Sequence, residues 1–66
     1  MYLISNKHGL VEVCLDKSAL YHTTFDLSLR ERGAVYVTYK STVNDLVRDL
    51  EGMGYKVTKS PRKTNF

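Results

Sequence analysis

The sequence predicts a small two-layer α+β domain: a mostly antiparallel sheet of four to five strands with one main helix, about 42–53, packed on one face. Three observations carry that expectation. Residues 2–15 read as a hairpin, residues 34–40 alternate in polarity as a strand does, and residues 42–53 carry an apolar stripe at helical spacing.

The first strand is Tyr2-Leu3-Ile4-Ser5, which is β-prone, and Asn6-Lys7-His8-Gly9 is a turn signal. Leu10-Val-Glu-Val-Cys-Leu15 returns as a second strand. On it Val11, Val13 and Leu15 point one way, while Leu10, Glu12 and Cys14 point the other. Residues 24–32 admit two readings. Thr24 suits the N-cap of a short helix, with Arg30 and Arg32 in its last turn and Gly33 just past it. Phe25–Leu29 also alternates as a strand that turns at Arg30–Gly33 into the next one. The hairpin reading is preferred, because Leu27 and Leu29 pair naturally with the strand that follows.

That strand is Ala34–Lys40, with Val35, Val37 and Tyr39 on one face and Tyr36, Thr38 and Lys40 on the other. In the helix that follows, Ser41 or Thr42 caps the start, and Thr42 with Asp45 has capping-box spacing. Val43, Leu46, Val47, Leu50 and Met53 form the buried stripe. Asp45, Arg48, Asp49 and Glu51 form a charged back expected to face water. Gly54 ends the helix. Tyr55–Lys59 is the last strand, with Tyr55 and Val57 inward and Lys56 and Thr58 outward, and Ser60-Pro61 breaks it. The domain organisation is therefore one domain over 1–59 and a basic flexible tail over 60–66.

Composition narrows the function. With 66 residues the chain holds one core, and that core is below the ~70–80 residues at which apolar burial comfortably stabilises a fold. A single cysteine makes no internal disulfide, so a partner chain or a homodimer gains weight, and a reducing, cytoplasmic location is expected. Residues 1–15 alternate in polarity and include Lys7, His8 and Glu12, so neither a signal peptide nor a membrane span is expected. The net charge of +3 is lopsided. Residues 56–66 hold Lys56, Lys59, Arg62 and Lys63 without an acid, which leaves 6 basic and 7 acidic residues in 1–55.

Catalytic and cofactor signals are missing. Cys14, His8 and His22 show no metal-ligand spacing, and the glycines at 9, 33, 52 and 54 form no phosphate loop. Asp45 and Asp49 read as the solvated face of a helix. No metal, cofactor or enzymatic role is expected, and a domain of this size leaves little room for a pocket of ~300 Å³ or more. Leu46-x-x-x-Leu50 running into Gly54-Tyr55-Lys56-Val57 resembles a segment of the HicA family of small RNA-cleaving toxins. The Gly-Ser-His of that family's catalytic histidine has no counterpart. Lys59-Ser60-Pro61-Arg62-Lys63 stands there instead, so the family's activity is not carried over.

The functional expectation is a small binding or regulatory module that docks on a protein partner, an accessory or inhibitor protein of the kind phages and mobile elements encode. With one helix, the second sheet face is left open. Tyr36 should lie on it beside Lys40, flanked by Lys56, with Arg30 and Arg32 as a charged rim. Nucleic-acid binding is the alternative. Ser60-Pro61-Arg62-Lys63 resembles the Ser-Pro-basic-basic tetrapeptide of histone tails, and Lys59, Arg62 and Lys63 would contact phosphates. A homodimer of the open faces, or pairing through an exposed edge strand, is a third option.

Overall fold

Tyr2–Asn6 (β1) and Gly9–Cys14 (β2) form the expected antiparallel hairpin in the computed structural model, which describes residues 1–59. Asn6 Oδ1 accepts the His8 N–H at 2.8 Å, and Gly9 takes φ +122°, a region where a side chain would strain. The third strand, Lys56–Lys59 (β3), pairs antiparallel with the other side of β1, giving the order β2-β1-β3. In that sheet Ile4, flanked by Glu12 and Val57, points inward. Leu3, flanked by Val13 and Thr58, points outward.

The inner face is covered by two helices, α1 (Lys17–Arg32) and α2 (Val43–Gly52). Ile4 and Cys14 from the sheet meet Leu20 of α1, Leu46 and Leu50 of α2, and Val37 from the connection between the helices. Tyr2, Tyr55 and Val57 pack around this cluster. Cys14 fills the core as a small apolar side chain, and burial pushes its thiol pKa up despite a hydrogen bond to the Thr23 hydroxyl.

The expected sheet of four to five strands with one main helix is corrected to three strands and two helices. Phe25–Leu29, preferred as a strand that turns at Arg30–Gly33, lies inside a helix that takes in all of residues 24–32. Asp16 starts α1, well before Thr24, by accepting the Ala19 N–H at 2.9 Å. Gly33 ends it at φ 66°, donating its N–H to the Leu29 carbonyl at 3.1 Å. Thr24 is a buried mid-helix residue whose hydroxyl donates to the Leu20 carbonyl at 2.7 Å. Residues 34–40 then have no hairpin partner, and both sides of β1 are already occupied. They form a loop in which Val37 is buried while Tyr36 and Tyr39 face water. The Thr38–Ser41 turn closes with a Ser41 N–H to Thr38 carbonyl bond of 3.0 Å.

The second helix follows its sequence signals. Thr42 Oγ1 accepts the Asp45 N–H at 3.2 Å, and the Asp45 carboxylate accepts the Thr42 N–H at 2.9 Å. The Thr42 backbone N–H first, and the Thr42 hydroxyl second, hold the Asp45 carboxyl below its usual range. Gly54, at φ 96°, turns the chain into β3. No helix among the described residues is long and apolar enough to cross a membrane. The basic tail expected over 60–66 lies outside the described residues.

Two predictions follow from these caps. Asp16→Ala removes the α1 cap and lowers stability by about 1 kcal/mol in urea unfolding; an unchanged midpoint contradicts a helix start at Asp16. Asp45 has a lowered pKa in the folded state, so its contribution is present above the ordinary carboxylate pKa and fades as pH falls through the lowered value. Asp45→Asn should flatten the acid limb of the stability–pH curve, and a mutant curve parallel to wild type would contradict the capping box.

Candidate functional site

The seam between the helices is polar where it reaches the surface. Helix α1 buries Leu20, Thr24 and Ser28, spaced four apart, so its inner stripe is only partly apolar. At the end of that stripe the Ser28 hydroxyl donates to Asp49 Oδ2 of α2 at 2.8 Å. Arg32, one turn on, donates to Ser28 Oγ at 2.9 Å and forms an ion pair with Asp49. The Arg32 and Asp49 side chains are 31% and 10% exposed, so the pair is partly withdrawn from water. Asp49, expected on a solvated helix back, is instead the acceptor that ties α1 to α2. A helical wheel of α2 alone does not show that α1 arrives on that side.

Above the seam, the Arg32 guanidinium lies 4.9 Å from the centre of the Tyr36 ring. Tyr36 is 72% exposed. The two residues form one wall of an open cleft of about 420 Å³, larger than the sequence suggested, whose other walls include Ser41, Asp45, Arg48 and Asp49. Arg48, an exposed cation on the lip, was not singled out by sequence reasoning; its α2 spacing, one turn from Asp45, places it there. Beside the cleft a second aromatic group forms. Tyr39, 69% exposed, stacks on Tyr21 with centroids 4.6 Å apart, and His22 meets Tyr39 edge-on. Phe25 and Leu29 extend this exposed apolar side of α1.

Of the residues expected to bind a partner, Tyr36 and Arg32 are brought together, though on the helix side of the molecule and not on a sheet face. Lys40 is exposed in the same loop, in the turn closed by Thr38 and Ser41. Arg30 falls on another side of α1, ion-paired with Asp26 at 3.0 Å, and is not part of the cleft. Lys56, paired with Ser5 in the sheet, is exposed on the outer face. Lys59 lies near the Tyr2 ring, 6.0 Å from its centre. Arg62 and Lys63 lie outside the described residues.

Tyr55 and Glu31 serve the fold. The Tyr55 hydroxyl donates to the Glu31 carboxylate, which raises the phenol pKa and ties the start of β3 to α1. Among the described residues no three His, Cys, Asp or Glu side chains gather as a metal would need. Comparison with protein-family models, with curated proteins and with solved structures finds no match for this chain.

The arrangement makes a stability prediction. Asp49→Ala removes the acceptor shared by Ser28 and Arg32 and should cost about 1–3 kcal/mol. Asp26→Ala, which breaks only an exposed pair on one helix, should cost no more than about 0.5 kcal/mol. Equal losses in urea unfolding would contradict the seam.

Proposed function

We propose that this chain is a small non-enzymatic module of the cytoplasm that docks on a protein partner through the surface around Tyr36, in an accessory or inhibitory role. The observation that carries the reading is the stacked, water-exposed Tyr36–Arg32 pair. Tyr and Arg are the residue types that most often dominate binding energy at protein interfaces. Arg32 is held from beneath by Asp49 and Ser28, and the loop is fixed at its middle by buried Val37. A partner therefore meets side chains already ordered, which lowers the entropic cost of association. The neighbouring Tyr39–Tyr21 stack enlarges the contact area.

Nucleic acid is the less favoured partner. The cleft carries Arg32 and Arg48 but also Asp45 and Asp49, so it offers no excess of positive charge to a phosphate backbone.

The test is capture of a partner from the source cells by the immobilised chain, with Tyr36→Ala and Arg30→Ala run alongside. A captured protein should remain with Arg30→Ala and lose affinity by ~2 kcal/mol, about 30-fold, with Tyr36→Ala. A partner indifferent to a folded Tyr36→Ala overturns the assignment. Captured nucleic acid that leaves between low and moderate salt replaces it with phosphate binding.

A further inference from the structure

Among the described residues strand β2 has a neighbour on one side only, and its other edge is open. The chain there runs Leu10-Val11-Glu12-Val13-Cys14-Leu15. Aliphatic and β-branched residues, no proline and a single charge are the composition of a segment that pairs with copies of itself. Leu10 and Leu15 are 64% and 76% exposed, and Val11 and Val13 are partly exposed, at 41% and 40%. Natural sheets blunt such an edge with a bulge or a charge.

Both devices are present, and both sit at the middle of β2. The register with β1 shifts between Ile4, which faces Glu12, and Ser5, which faces Leu10, so Val11 has no residue opposite it. Next to it, Glu12 Oε1 accepts the Val13 N–H at 3.2 Å. The side chain thus occupies a backbone donor that an added strand would use. Charge adds to this. A two-fold pairing of β2 with itself, Val11 against Val13 in both directions, puts Glu12 opposite the second copy's Glu12. Cβ atoms in such a pair are ~4.5–5.5 Å apart, where like charges repel.

We infer that Glu12 holds the β2 edge shut, and that the occupant this edge takes when the carboxylate is removed is β2 of a second copy of this chain, paired antiparallel. Glu12 is the only charged residue between Gly9 and Leu15, so no neighbour on the strand takes over its role. The edge is separate from the Tyr36 surface, and the inference does not depend on the proposed function.

The experiment is sedimentation velocity of the full chain across a concentration series, comparing wild type with Glu12→Val, Glu12→Gln and Glu51→Val, each checked for folding by circular dichroism. Glu51→Val makes the same change of charge and polarity on the exposed side of α2. Glu12→Val should associate to twice the wild-type mass, with a dimer constant at least tenfold tighter. Glu12→Gln keeps an oxygen for the Val13 N–H but loses the repulsion, and should fall between. Glu51→Val should sediment as wild type. Adding Val11→Lys to Glu12→Val should restore the wild-type mass. If Glu12→Val does not fold, Glu12→Gln carries the comparison. Sedimentation of the folded Glu12 variants at the wild-type mass overturns the inference. So does equal association of Glu51→Val, or association that Val11→Lys leaves intact.

Discussion

The hydrogen bond from Ser28 to Asp49 sets the relation between the two helices, and the exposed surface above them depends on that relation. Helix α1 contributes one large buried apolar side chain, Leu20, to a core that holds six buried apolar residues among those described. Hydrophobic burial is non-directional and would tolerate α1 sliding or rotating over the sheet. A buried hydroxyl tolerates neither, because leaving it unpaired costs about 1–3 kcal/mol. Arg32 then completes the arrangement by binding the same serine and the same carboxylate. With its guanidinium so held, the ring of Tyr36 finds a fixed partner.

Among the described residues, the two helices and their connection cover one face of the sheet. Two helices, Val37 and the inner residues of three strands use the apolar material that the core requires. Besides Tyr36, most of what remains apolar among the described residues is exposed in two places. One is the exposed side of α1 with Tyr39; the other is β2 with its row of aliphatic residues. The two are treated differently by the structure. The aromatic group is stacked and exposed. The β2 segment is bulged and carries Glu12 against its own backbone. A surface kept ordered and open is consistent with docking, and a surface obstructed at its centre is consistent with protection from self-association.

The helix α2 was legible in the sequence because all its apolar residues fall on one side and its cap spacing is local. The same signals were ambiguous for α1. Phe25 and Leu29 lie off the Leu20, Thr24 and Ser28 stripe on the exposed side, so apolar residues are not confined to one face and the buried stripe is largely polar. Period alone cannot identify such a helix. Asp16 with the Ala19 N–H and Gly33 at the other end were the usable signs. The alternation at 34–40 was real but misread. It reports which residues turn toward the core, Val35 and Val37, and a loop pinned at Val37 produces it without any ladder. The pairing of Tyr36 with Arg32 was within reach of the sequence as a list of residues. Their contact was not, since it follows from α1 being a helix that places Arg32 one turn beyond Ser28.

That misread segment is the one the functional proposal rests on, and the physics connects the two facts. In a strand, Tyr36 would share its backbone polar groups with neighbours and stand in a row of side chains. In a loop it projects alone. Long loops are usually mobile, yet this one starts at a left-handed glycine cap and ends in a capping box. It is also buried at Val37 and cross-bonded between Thr38 and Ser41 at 2.9 Å. Three separate anchors within nine residues, 34–42, leave little freedom for the tyrosines between them. The chain thus obtains an ordered display of aromatic side chains from a connection, without adding a strand to its sheet.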